Sequence, residues 1–456
     1  MRGLKTTIAL VVVLGGLFAY IYFYTWKQPE GGAAGGDAAT KQEKVFAGLT
    51  SDKIDEIRVN SESGDHTVLR KDKDGWKITE PIAAAAQDSE ATGIANALSQ
   101  LEVARVIDDN PASLADYGLG APRVEIQFKA AGDKDLKTLE IGQKTPTGAN
   151  LFAKKADSKR VFTIASFQDG TFNRSTFDLR DKTAIKIDRD KVDHVEITAD
   201  NRTLELAKTG GDWAIVKPLQ APADTAAAEG LVGKVQSAQM KSIVSDNATP
   251  ADLKKYGLDK PAATITLGLG SAKASMIVGG KAPDGSLYAK DASKPLVMTV
   301  DSTFADDFKK PADDYRRKDL FAFRAYDANH LEFTRGKDTI AFDKVKAAKP
   351  EDEDKWQITK PGGKPAPADK DKMGVFLAKV ESLRAMSFAD ANAKTGLDSP
   401  ALTVYAKFDD GKKEERVTFG KQGSDVYAGR PGEPGAAKVN PTEYDEVIKK
   451  LDELAK

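Results

Sequence analysis

Three segments of the chain end in the same way. YGLGAP, YGLDKP and TGLDSP close at Pro122, Pro261 and Pro400, and the step from Pro122 to Pro261 equals the step from Pro261 to Pro400. A register kept twice over that distance constrains everything else, because it makes the chain one unit written three times. The tryptophans agree. GWKITEP, DWAIVKP and KWQITKP place Trp76, Trp213 and Trp356 at nearly the same two steps, so insertions within a unit are small and compensating. LEIGQK, MIVGGK and VTFGKQ recur next, followed by LFAKK, LYAKD and VYAGR. A period this long exceeds that of ordinary solenoids, so each unit has its own core. The chain of 456 residues suits about three domains of roughly 150 each, and the units are placed at 46–186, 187–326 and 327–456.

Within a unit the pattern reads strands, helix, strands. IDEIRVN, VDHVEIT and ANHLEFT alternate polar and apolar residues, and a second alternating segment such as RTLELAK leads into the tryptophan strand. There Trp76 and Ile78, Trp213 and Ile215, and Trp356 and Ile358 sit two apart and share a face. Pro81, Pro218 and Pro361 end the ladder because proline has no N–H to give it. An aromatic so placed, facing an apolar helix stripe, is a core peg rather than a ligand platform. That helix takes Asp88, Asp224 and Asp369 as candidate N-caps, with stripes Ile94, Leu98, Leu101; Leu231, Val235, Ala238; and Phe376, Val380, Leu383. A shorter helix ends at the G-L-x-x-P signal, where Gly118, Gly257 and Gly396 supply the left-handed C′ residue. Strands through Val124, Ile265 and Val404 follow, and charged helical connectors close the first two units. The third ends in the amphipathic helix PTEYDEVIKKLDELAK. The fold class is α+β: three homologous repeats, each a mostly antiparallel sheet with one or two packed helices, preceded by a transmembrane helix.

That helix is read from Ile8 to Tyr24, IALVVVLGGLFAYIYFY, which carries no charge and is long enough to cross most of a hydrocarbon layer about 30 Å thick. Tyr20, Tyr22, Tyr24 and Trp26 resemble an interfacial belt, while Arg2 and Lys5 stay cytoplasmic. The bulky end IYFYTW lacks the small residues of a signal-peptide cleavage site, so 1–26 is expected to be retained as an anchor. Residues 27–45, rich in Gly and Ala without apolar periodicity, read as a flexible linker. The expected location is the bacterial inner membrane, single-pass, with the N-terminus cytoplasmic and the C-terminal domains periplasmic.

Chemistry is hard to find. A net charge of −1 gives no field for nucleic acid, and zero cysteines exclude disulfides, thiolate catalysis and thiolate metal sites. His194 and His330 occupy the same place on the polar side of their strands, where the first unit has Glu56, and read as solvated residues rather than metal ligands. No H-E-x-x-H or G-x-S-x-G occurs. VGGKAPDGS, Val278–Ser286, fails as a phosphate loop because Ala282 follows Lys281 and Ser275 replaces the first glycine; it reads as a turn between strands, as do IGQK and FGKQ. The carboxylates at Glu351–Asp354 lack the spacing of a calcium loop and read as a solvated turn. No catalytic, cofactor-binding or metal residue is nominated, no cofactor is expected, and the chain is read as not an enzyme.

With the anchor, the W-x-I-x-x-P strand and the G-L-x-x-P turn in hand, the chain resembles the bacterial domain-of-unknown-function family 4340 (DUF4340) from about residue 46 onward. Members look like membrane-tethered extracytoplasmic proteins associated with ABC transporters of the gliding-motility type and their auxiliary subunits. The resemblance implies an accessory role, with a transporter or auxiliary subunit as partner and no catalytic residues to carry over. The expectation is a non-enzymatic interaction protein. The alternative is an extracytoplasmic binding protein that delivers a lipid, glycan or peptide to a transporter, and a compact polar cluster confined to one unit would favour an enzyme instead.

Overall fold

The structure is a computed structural model that describes residues 43–347, 349, 353–390 and 392–456. The anchor expected over 1–26 lies outside the described residues, as does the linker up to residue 42. Among the described residues, no helix is long and apolar enough to cross a membrane. The chain forms two compact bodies, the first ending at Asp181 and the second comprising Lys182–Lys456, which holds two of the three units.

Each unit is built on a nine-stranded antiparallel sheet, and all three sheets have the same strand order. In the first unit the strands are β1 (Ile54–Asn60), β2 (His66–Asp72), β3 (Gly75–Glu80), β4 (Ala84–Ala85), β5 (Arg105–Asp108), β6 (Val124–Ala130), β7 (Lys137–Lys144), β8 (Asn150–Lys155) and β9 (Val161–Ala165). The order is β4-β3-β2-β1-β6-β7-β8-β9-β5. The chain thus steps outward to one edge, crosses by a helix to the opposite edge, returns to the centre beside β1 and steps outward again. Alternation drives it: in β6, Val124, Ile126, Phe128 and Ala130 are buried and the residues between them are not.

The crossing helices are α1 (Asp88–Gln100), α2 (Thr225–Gln236) and α3 (Lys370–Glu381). Every residue of the three apolar stripes is buried. Trp76 and Trp213 are buried in their cores, whereas Trp356 is half-buried and packs at the margin of the third core. Asp224 and Asp369 cap their helices, accepting from the backbone N–H of Ala227 at 2.9 Å and of Lys372 at 3.0 Å. Asp88 does not cap α1. The N-cap is Gln87, whose side chain makes no capping bond, and Asp88 accepts from the backbone N–H of Trp76 at 2.7 Å. Room for that carboxylate comes from Gly75, at φ 115°, where a Cβ would stand 2.7 Å from Asp88 Oδ2.

The G-L-x-x-P glycines are all left-handed, with φ of 69°, 69° and 70° at Gly118, Gly257 and Gly396. Leu119 N–H bonds to the Leu114 carbonyl, and Leu258 N–H to that of Leu253, closing Schellman caps over one turn of 3₁₀ helix and over Pro250–Lys255. In the third unit the segment is a turn rather than a helix. The glycines of IGQK, VGGK and FGKQ lie inside strands, not in turns. Their purpose is close packing: a Cβ on Gly142, Gly279 or Gly420 would stand 2.2–2.3 Å from the carbonyl oxygen of Tyr117, Tyr256 or Thr395.

Each unit is entered by a short segment hydrogen-bonded around the end of its helix. Val45 N–H bonds to Leu101, Ala184 N–H to Ala238 and Leu320 N–H to Leu383. The segment just before, Arg180 in the first connector and Arg316 in the second, bridges to the edge of the preceding sheet at Ala86 and Ala223.

Candidate functional site

Three places in the molecule depart from the repeat and therefore need an explanation beyond folding. The first is the indole. In the second unit Trp213 Nε1 donates to Glu229 Oε1 at 2.8 Å, with Lys208 Nζ 3.3 Å from the same carboxylate and Arg189 at 3.4 Å. The bond from Trp213, aided by the two cations, holds the Glu229 carboxyl below its usual range. Trp76 Nε1 is buried with no hydrogen-bond partner among the described residues.

The second is the seam between the second and third units. Arg316 is 4% exposed at its side chain; its Nη2 donates to the Pro434 carbonyl at 2.8 Å and its guanidinium carbon lies 3.6 Å from the Phe388 ring centroid. Around it, Arg430 Nε meets Glu433 Oε1 at 3.2 Å and Arg317 approaches the same oxygen at 4.0 Å. Arg430 Nη1 and Arg317 Nε are buried without a hydrogen-bond partner among the described residues. Burial, with the Arg317 charge beside it, lowers the Arg430 pKa from its ordinary value. Glu415 accepts from the backbone N–H groups of Ala322 and Phe323 at 2.9 and 3.0 Å. A cleft of about 860 Å³ opens here, walled by Trp213, Arg317, Phe321, Lys413 and Glu433. The loop RPGEPG, Arg430–Gly435, that builds one wall has no like in the other units, which have KADSKR and DASKPL at that point.

The third is a cleft of about 730 Å³ inside the second unit, lined by Ile197, Ala199, Leu204, Leu219, Phe308 and Pro311. Its mouth carries Arg202, Lys217, Lys310 and Asp313. Lys217 pairs with Glu205 at 2.7 Å and Lys310 with Asp307 at 2.5 Å. Both volumes are in the range of small-ligand pockets.

A family model described as "Domain of unknown function (DUF4340)" matches residues 76–214 and 213–359. The chain belongs to this family. Each DUF4340 match runs from the tryptophan strand of one unit to that of the next, so the DUF4340 frame begins at the third strand of a sheet and ends at the third strand of the following one. No curated protein matches the chain. Two solved structures of the DNA polymerase sliding clamp from Pseudomonas aeruginosa, the second with ligand, align with 87% of this chain and 93% of theirs. Identities are 10% and 9% and TM-scores 0.17 and 0.15, a likeness that carries no argument.

The histidines sit where the alternation places them. His330 Nδ1 lies 2.7 Å from Asp343 and Nε2 lies 3.0 Å from Glu332, while His194 Nε2 is 3.8 Å from Glu205. Glu56, the first unit's counterpart, pairs with Arg58 at 2.6 Å and Arg70 at 3.3 Å. Among the described residues no three metal-ligating side chains form a group. Of the acidic run before Trp356, Glu351 and Asp352 lie outside the described residues; Asp354 accepts from the backbone N–H of Ala347 and Glu353 pairs with Lys370. Both clefts escaped the sequence reading because they arise from what is replaced between units rather than from any motif. The unmatched RPGEPG loop was the one visible signal.

Proposed function

We propose that this chain is a membrane-tethered, extracytoplasmic interaction protein without catalytic activity, an accessory of an ABC-transporter or other cell-envelope complex. The observation that carries the reading is the seam cleft. Charged residues at its walls are paired: Arg324 with Asp319 at 3.4 Å, Lys413 with Asp409 at 3.4 Å and Arg317 with Glu433 at 4.0 Å. What remains open is a contact surface of apolar walls and paired ions, suited to recognising a surface rather than to moving protons. The charge-free run Ile8–Tyr24 with Arg2 and Lys5 before it supports the anchor and its orientation. Tethering by a short linker raises the local concentration to about the millimolar range, so modest module contacts suffice.

The test is crosslinking in the native membrane, comparing the full chain with one lacking residues 1–26. The expected result is capture of a transporter or auxiliary subunit by the full chain only; equal recovery by both forms would show that tethering does not make the contact. A second reading, cargo binding, is favoured by the apolar cleft inside the second unit. Lipid found by mass spectrometry on the purified chain would support it.

A further inference from the structure

The joint between one unit and the next is built the same way twice, and one half of it is left over at each end of the chain. After the first unit, Gln87 N–H bonds to the Leu179 carbonyl at 2.8 Å and Asp181 N–H to that of Ala85 at 3.0 Å. After the second, Asp224 N–H bonds to the Tyr315 carbonyl at 2.8 Å and Arg317 N–H to that of Pro222 at 2.9 Å. Each connector thus lays an extended segment along the edge of the sheet it leaves. The equivalent edge of the third unit is fixed by the bond from Ala368 N–H to the Trp356 carbonyl, which matches Ala86 with Trp76 and Ala223 with Trp213. There Asp369 N–H and the Pro367 carbonyl stand where the connector bonds are made, and neither has a partner among the described residues.

Burial records the missing segment. Ala86 and Ala223 are buried, as are Trp76 and Trp213, whereas Ala368 and Trp356 are half-buried and Ala366 and Pro367 exposed. A cleft of about 780 Å³ lies on this edge, and its Trp356, Pro367, Ala368 and Lys370 take the places that Trp213, Pro222, Ala223 and Thr225 hold in the seam cleft. The helix α4 (Pro441–Ala455), which ends the third unit, brings Tyr444, Leu451 and Leu454 into the core but bonds to neither Pro367 nor Asp369. The first unit has the complementary half. Its entry bond, Val45 N–H to Leu101, corresponds to Ala184 with Ala238 and Leu320 with Leu383. Residues 40–42 precede the described residues. Counted back from the entry bond, Lys41 corresponds to Arg180 and Arg316, which bridge to Ala86 and Ala223, while Thr40 and Gln42 correspond to the residues whose backbones make the connector bonds. Phe46 and Ala47, which line a cleft of about 300 Å³ on the first unit, correspond to Phe321 and Ala322 of the seam wall.

We propose that the open edge of the third unit, residues 367–369, receives residues 40–42 of a second copy of this chain, so that copies join head to tail as the units do. Asp369 N–H donates to the Thr40 carbonyl and Gln42 N–H to that of Pro367. The first unit of the incoming copy then faces Trp356 as the third unit faces Trp213 within the chain. Such a contact is heterologous and gives a ring or an open row. A second copy is favoured over an unrelated strand because this chain carries both halves of the joint: an edge with no connector after it, and an entry segment with no unit before it. This self-association is additional to the transporter contact proposed above and does not depend on it.

The chain has no cysteine, so single introduced cysteines report the pairing. Full-length Lys41→Cys and Ala368→Cys chains, mixed in detergent and mildly oxidised, should form a mixed disulfide dimer several-fold above that of Lys41→Cys with Lys254→Cys, an exposed control in the second unit. Mass photometry of the unaltered chain should show mass rising with concentration. Gln42→Pro removes one donor from the joint and leaves the third unit untouched, and should weaken the association about threefold to tenfold. Association that Gln42→Pro leaves unchanged overturns the proposal, because the copies are then joined elsewhere. Closure of a Lys41→Cys, Ala368→Cys double variant within one chain, with no mixed dimer, makes the occupant the chain's own segment and overturns it as well. Monomers at every concentration with no mixed disulfide, alongside retained crosslinking to a membrane partner, refute the head-to-tail joint and leave the interaction reading standing.

Discussion

Replacing Thr92 by glutamate should stabilise the first unit by about 1 kcal/mol, because it supplies the partner that the Trp76 indole lacks. The register is set by packing. Ala91, Ile94 and Leu98 of α1 are buried as Ala228, Leu231 and Val235 of α2 are, and the offset between these two sets is the same as that between Trp76 and Trp213. Thr92 therefore stands to Trp76 in sequence as Glu229 stands to Trp213. It is exposed, so the substitution disturbs no core. A hydrogen bond to a charged acceptor contributes about 1.5–3 kcal/mol. Fixing the glutamate rotamers takes back about 1–1.5 kcal/mol, and repulsion from Asp88 one turn away removes a few tenths more, about 0.2–0.5 kcal/mol. Lys71, whose Nζ is 5.8 Å from the Trp76 ring as Lys208 is 5.6 Å from that of Trp213, partly offsets that repulsion. For a unit of this size a gain of about 1 kcal/mol raises the melting temperature by roughly 3–5 °C. Scanning calorimetry of the full chain reads it, with Glu229→Thr as the reverse change lowering the second unit by a similar amount. If Thr92→Glu leaves the first transition in place while Glu229→Thr also changes nothing, the indole bond contributes no stability and the reasoning fails.

Trp213→Ala should cost about 3–5 kcal/mol by opening a cavity, and Trp356→Ala clearly less, since that indole is half-buried; equal losses would contradict the packing described. Gly279→Ala should cost about 1–3 kcal/mol through overpacking against the Tyr256 carbonyl, 2.3 Å from the new Cβ, and a neutral melting curve would remove the close-packing account. The hydrogen bond from Lys234, with that from Lys310, lowers the pKa of Asp307. A carboxylate lowered in the folded state contributes stability above its unfolded pKa of about 3.9 and loses it as pH falls through the folded value. The melting temperature should therefore be level above about pH 5 and fall below about pH 4, with a shallower fall in Asp307→Asn; an identical acid limb in that variant would show that the pair does not report on folding.

What the amino-acid sequence disclosed and what it hid divide along a physical line. Strand alternation, helix stripes and left-handed glycines are local rules, and each was legible because every unit obeys it in its own letters. The N-cap of α1 was not, because Asp88 and Asp224 look alike in sequence while Gly75 leaves room for Asp88 to bond the Trp76 backbone instead. The glycines of IGQK, VGGK and FGKQ were misplaced for a similar reason. A glycine in a turn and one under a carbonyl read the same until the carbonyl's neighbour in space is known. The seam and the cleft depend on residues far apart in the chain, such as Arg316 with Pro434 and Arg202 with Lys309.

Repetition gives a way to separate function from folding without an alignment. Three copies of one fold share the same physical requirements, so a position that keeps its chemistry in all three is explained by the fold, and the tryptophans, stripes and cap glycines are such positions. A position that changes in one copy is either repaired nearby or left for something else. The first β-hairpin of each unit is tied down in its own way, Thr67 to Thr176 at 2.7 Å in the first unit and Arg335 to Asp452 at 2.6 Å in the third. The second unit, with Leu204, Ala312 and Ala199 at the corresponding positions, ties its hairpin to the connector through Arg202, which donates to the Lys309 carbonyl at 2.8 Å. The core beneath stays covered all the same, Leu204 being 8% exposed where Ile340 of the third unit is 6%. A change in one copy that leaves burial unaltered is absorbed by the packing around it, so the positions left over for function are those, such as the RPGEPG loop at Arg430–Gly435, that no sister copy needs.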